Sequence, residues 1–201
     1  SDLAMSFWQE DSNYKGRYRF QGRTKTDTII NKIFFEDVTQ LLFTVGGHEV
    51  AKHHTGNIDR SGIITGWRLT FHTLPGSTRE MLGAESQCVL QGVHKDFITD
   101  CIGIPHLKYL VTSSMDRRQN LCVWDMVEKK AKFTLEGHKR GCKQLAWADD
   151  QRLLLSVGFE YEAYVWDVKT SRQPIMRLVG HRASLMGIVM VKFNPLIRAI
   201  T

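Results

Sequence analysis

The chain has 201 residues, 42% of them hydrophobic, and 27 Lys+Arg against 21 Asp+Glu give a formal net charge of +6. That is ordinary for a globular chain with a real core. It contains no apolar run long enough to span a bilayer as a helix.

In chain order, Ser1–Ser6 lacks a basic region ahead of an apolar core, so no signal peptide is expected. Residues 1–13 read as an N-terminal extension. From Lys15 to Lys25 basic and aromatic residues alternate, which makes Arg17, Arg19 and Lys25 candidate partner contacts. Such a stretch can track a phosphate backbone or an acidic protein surface, and a half-buried strand alternates in the same way.

Next, Ile33 through Gly46 overlays Leu145 through Gly158 without a gap. Between His48 and Ser86 this first copy is too long. Its third strand is expected at Gly62–Leu69, followed by a loop that includes Pro75 and Arg79. Long loops on rigid scaffolds often carry recognition, so these two residues are further candidate contacts, against the alternative of a plain solvated loop. His53-His54 sits in the preceding hairpin. Adjacent residues on an extended chain point opposite ways, so no metal site is expected there.

The second half repeats at fixed spacing. Trp124-Asp125 and Trp166-Asp167 are 42 residues apart, and His94, His138 and His181 are spaced 44 and 43. An apolar run ending in a hydroxyl precedes each Trp-Asp: Tyr109–Thr112, then Leu153–Ser156. Ser113–Asn120 reads as a polar hairpin between two apolar runs, and Cys122–Trp124 and Tyr164–Trp166 are rich in strand formers. Innermost strands are expected near Phe97–Ile102 and Lys143–Ala148. No twelve-residue stretch has a helical period. Cys88, Cys101, Cys122 and Cys142 form no CxxC pair, so they read as small buried hydrophobes in a reducing compartment.

A Gly-His near one end and Trp-Asp near the other of a unit of about forty residues is a blade signature. The pattern resembles the WD40-repeat family over roughly residues 20–201. The resemblance implies an all-β, partial WD40 β-propeller of about three and a half blades. Residues 14–93 form a divergent blade with an insertion at about 48–86, residues 94–136 and 137–179 two regular blades, and residues 180–201 the start of another. A full propeller needs more blades, so the sequence is expected to belong to a longer protein.

The resemblance also implies a buried structural network in each blade. One blade offers His94, Thr112, Asp116 and Trp124, with the hydroxyl bonded to the imidazole and the imidazole to the carboxylate. The next offers His138, Ser156 and Trp166, with Glu160 in the aspartate position, so its network is expected to be looser or rearranged. His181 opens a further set. In the first copy only Thr44 fits, His48 stands at the aspartate position, Arg23 is the nearest thing to the histidine, and no network is expected.

No nucleophile, phosphate, metal-protease or dinucleotide motif is present, so no catalytic residue, metal or cofactor is assigned. The expected function is a non-enzymatic protein-interaction scaffold. Residues 160–167 and 180–188 are similar to WD-repeat proteins of cilia and flagella, which implies a cytoplasmic, axonemal setting with tubulin or axonemal proteins as partners. The alternatives are a nucleic-acid- or chromatin-associated propeller and a substrate-recognition subunit of a modifying enzyme.

Overall fold

The computed structural model describes residues 3–37, 39–51, 58–73, 76, 80–192 and 197–200. Sixteen strands are described, and one short 3-10 turn, Pro105–Leu107, interrupts them. Three antiparallel four-stranded sheets form the body. The first is β3 (Ile29–Glu36), β4 (Leu41–Ala51), β5 (Ile58–Thr73) and β6 (Glu80–Gln91). The second is β7 (Ile98–Ile104), β8 (Tyr109–Ser114), β9 (Leu121–Asp125) and β10 (Lys130–Thr134). The third is β11 (Cys142–Ala148), β12 (Leu153–Gly158), β13 (Ala163–Trp166) and β14 (Met176–Leu178). Two-stranded sheets flank them: β1 (Ala4–Glu10) with β2 (Tyr18–Lys25), and β15 (Val189–Lys192) with β16 (Ile197–Ile200).

The core lies between blades. Strands β8, β9, β12 and β13 are buried almost throughout, whereas the outermost β10 and β14 are mostly exposed. This explains why the middle strands read as unbroken apolar runs: each is covered on both faces by neighbouring sheets. On β8 and β9, Leu110, Cys122 and Trp124 pack towards Phe43, Val45 and Ile64 of the first blade. Their alternate residues Val111, Leu121 and Val123 pack towards Leu145, Leu154 and Trp166 of the third.

The copies share backbone detail. The turn after each innermost strand ends on a non-glycine residue in the left-handed region: Gln40 at φ 56°, Lys108 at 55° and Arg152 at 56°. Each innermost strand also carries a register irregularity at its start, between Ile30 and Lys32, Ile98 and Asp100, and Cys142 and Gln144. The skipped residue reaches the next blade every time. Asn31 Nδ2 donates to Ile98 O (2.7 Å), Thr99 Oγ1 to Cys142 O (2.8 Å) and Lys143 Nζ to Leu185 O (3.2 Å). A β-bulge re-aims one side chain, and here that side chain ties adjacent blades.

Three expectations need correction. Residues 1–13 are not a bare extension, and Tyr18–Lys25 is not part of the first blade's sheet. The two segments pair with each other from Ala4↔Lys25 to Glu10↔Tyr18, and β2 lies against β6. The expected third strand Gly62–Leu69 lies inside β5, but the loop expected after it is shorter than supposed. Apart from Gly76 the described residues of 48–86 are strand, because β4, β5 and β6 run on past the blade: His48 pairs with Ser61, and Arg68 through Thr73 pair with Glu85 through Glu80. The hairpin beyond Trp67 is anchored at β2. A Cβ at Gly22 would stand 1.8 Å from Leu82 O, so only glycine lets the strands approach this closely, and Ala84 N–H donates to Thr24 Oγ1 (2.9 Å).

Candidate functional site

The repeat residues assemble inside the two regular blades. Strand β8 brings Thr112 opposite β9, and the loop ahead of β7 carries His94, which is 2% exposed. Trp124 Nε1–H donates to Thr112 Oγ1 (2.8 Å), and Thr112 Oγ1 lies 2.7 Å from His94 Nε2. His94 Nδ1 lies 2.5 Å from Gln119 O. A carbonyl only accepts, so the imidazole proton sits on Nδ1, and the Thr112 hydroxyl donates to Nε2. Burial holds the His94 pKa below the usual histidine value, against the raising effects of the Gln119 carbonyl and Asp116.

Asp116 is therefore not the imidazole's acceptor, contrary to expectation. Its carboxylate accepts the backbone N–H groups of Lys95 (2.8 Å), Arg118 (2.8 Å) and Gln119 (3.3 Å). Burial pushes its pKa up, but those donors outweigh burial and the net shift is down. The short aspartate folds its hairpin, and the hairpin then presents a carbonyl to the histidine.

The blade with glutamate is the more complete one, so of the looser or rearranged network expected there it is rearranged and not looser. Trp166 Nε1–H donates to Ser156 Oγ (2.8 Å), which lies 2.7 Å from His138 Nε2. The extra methylene lets Glu160 Oε2 reach His138 Nδ1 at 2.9 Å, while Oε1 accepts the N–H groups of Lys139 (2.6 Å) and Arg140 (2.7 Å). The first blade keeps a remnant, where none was expected: Trp67 Nε1–H donates to Thr44 Oγ1 at 2.8 Å. His181 is exposed and does not share the burial of His94 and His138.

The Glu160 contacts make a measurable prediction. Burial raises its pKa, yet the His138 bond and the Lys139 N–H more than offset that, leaving it at about 2 from an ordinary 4.5. A folded-state pKa below the unfolded value gives stability that is present above pH 4.5 and lost as pH falls towards 2. Glu160→Ala is expected to cost roughly 1–3 kcal/mol at neutral pH by stranding three donors. Denaturant titrations of wild type and Glu160→Gln should converge as pH drops through that window. A constant gap between them would refute the coupling.

Sequence reading missed Asp100. It is 5% exposed at the β7 irregularity, and Lys32 of the first blade pairs with it. Its Oδ1 accepts Cys101 N–H and its Oδ2 accepts Leu145 N–H of the third blade, both at 2.8 Å. The available signal was the polar pair Asn31-Lys32, Thr99-Asp100 and Lys143-Gln144, recurring at one register in otherwise apolar strands.

The candidate contacts fall as follows. Arg17 stacks on Tyr14 at 4.8 Å, Arg19 Nη2 pairs with Asp11 Oδ2 at 2.6 Å, and Lys25 is exposed at the β2 end. Pro75, Arg79 and His53-His54 lie outside the described residues. Three cysteines are buried, with thiols pushed up by burial to about 12 at Cys101 and Cys122 and upward at Cys142 as well. Among the described residues no cluster could hold a metal, and no helix is long and apolar enough to cross a membrane.

Residues 129–167 match the WD40 family, described as a WD domain, G-beta repeat. The matched unit takes β10 from one sheet and β11, β12 and β13 from the next, so sequence repeat and structural blade are offset by one strand. A stretch of 108 residues, 54% of this chain, is 30% identical to Cilia- and flagella-associated protein 337 B of Tetrahymena thermophila. It covers 8% of that protein, so the chain spans a small part of this relative.

Proposed function

We propose that this chain, a stretch of WD40 β-propeller, is a non-enzymatic protein-interaction scaffold of a ciliary or flagellar assembly. The observation that carries the ciliary part is the 30% identity to a cilia- and flagella-associated protein over 108 residues. The scaffold part is supported by the site chemistry. The histidines and hydroxyls that could serve catalysis are buried and spent on Trp124 and Trp166, which makes them structural. Surface loops and blade ends are left to do the work, with axonemal proteins or tubulin as partners.

The test is the location of the full-length protein, tagged, in a ciliated cell. It should lie along the cilium and stay there after detergent removes the membrane, and proximity labelling should mark axonemal proteins. A nuclear or evenly diffuse signal would overturn the ciliary reading.

A further inference from the structure

The strand-connecting loops at one end of the second and third blades enclose a cleft of about 620 Å³. Three cations rim it: Arg117 from the β8–β9 turn, and Lys139 and Arg140 from the β10–β11 loop. All three are exposed, and none has a carboxylate partner among the described residues. Two nearby acids are committed elsewhere: Asp116 and Glu160 hold backbone N–H groups of the same loops, whereas Glu162 Oε2 is buried without a hydrogen-bond partner among the described residues. Glu160 thus anchors the backbone of Lys139 and Arg140 and leaves both side chains to the cleft.

Between the cations the wall is apolar. Met115 and Tyr161 are 36% and 52% exposed, and Phe159 lies beside them with Lys143 Nζ 4.3 Å from its ring centroid. Asp96 also lines the cleft, with Oδ1 accepting Phe97 N–H at 2.8 Å. A carboxylate there can accept N–H groups from a peptide backbone, and it repels any anionic group set directly against it, so an occupant's acids must sit at the cation rim. A three-cation rim around an apolar floor also differs from the extended basic stripe that a nucleic-acid backbone needs.

We infer that this cleft docks an acidic peptide segment that carries an apolar side chain. Its carboxylates would meet Arg117, Lys139 and Arg140, and its apolar group would rest on Met115, Phe159 and Tyr161. The inference rests on the protein-scaffold reading but not on its ciliary part.

The probe is a short fluorescein-labelled peptide of glutamates with one central phenylalanine, titrated with the full chain and read by anisotropy. Binding should saturate, weaken with salt, and fall about tenfold or more in Arg117→Glu/Arg140→Glu at unchanged melting temperature. Exchanging the probe's phenylalanine for serine should weaken it several-fold. Lys108→Glu/Lys129→Glu makes the same charge change at the opposite end of the blades and should bind like wild type. Four results overturn the inference: no binding by wild type, undiminished binding by the cleft variant, equal loss in both charge variants, or tighter binding of a single-stranded oligonucleotide that the cleft variant abolishes. A protein absent from cilia that still binds the peptide would sink the ciliary reading alone.

Discussion

Replacing Asp100 with alanine is expected to lower the unfolding free energy by about 3–5 kcal/mol, the range for breaking a buried charge pair on one side. One carboxylate serves three blades: Lys32 on β3, Cys101 on its own β7, and Leu145 on β11. Alanine leaves the Leu145 N–H buried without an acceptor and leaves Lys32 only Cys101 O, at 2.9 Å. The Lys32 side chain is 40% exposed and can turn to water, which puts the loss near the lower end of the range. Lys32→Met should therefore cost much less than Asp100→Ala. Guanidinium unfolding of both single variants and the double variant isolates the pair term. An Asp100→Ala loss within about 0.5 kcal/mol, as for an ordinary surface change, would mean the carboxylate is no inter-blade tie.

What the sequence revealed and what it hid follow from burial. Tyr109–Thr112 and Leu153–Ser156 were legible because strands covered on both faces must be apolar throughout, and because Trp124 and Trp166 recur at one interval. The hairpin beyond Trp67 was hidden for the opposite reason. Phe71, 71% exposed on a strand standing clear of the blade, has no covered face to impose a pattern. The stretch around Pro75-Gly76 then read as the centre of a long loop, whereas Thr73 and Glu80 pair. The network was legible in its Trp, hydroxyl and His members but not in its acceptor. Whether an acid or a carbonyl receives the Nδ1 proton depends on reach, and a single methylene separates the Glu160 blade from the Asp116 blade. One consequence is that deleting Gly76–Gly83 would not be silent in stability, since Met81–Gly83 pair with His72–Thr70 and Leu82 packs on Gly22.

The other large effect is expected at Trp166. It is fully buried, and its ring fills the interface between the second and third blades with Val111, Leu121 and Leu154. The Gly137 of the Gly-His pair exists for this ring: a Cβ there would lie 2.6 Å from Trp166 Cη2. Trp166→Ala removes the apolar contact, opens a cavity and leaves the Ser156 hydroxyl without its donor, so the loss should be about 3–5 kcal/mol. Trp166→Phe keeps most of the ring and loses chiefly the N–H, and a smaller loss of about 1–2 kcal/mol follows. Trp147 provides the contrast. It lies at the edge of the same cluster, and its Nε1–H donates to the exposed Asp149 at 3.2 Å, so Trp147→Ala should cost clearly less. Because the cluster joins two blades, Trp166→Ala should speed hydrogen exchange in β8 and β9 as well as in β12 and β13. Faster exchange confined to the third blade would mean that the blades open independently and that the interface does not couple them.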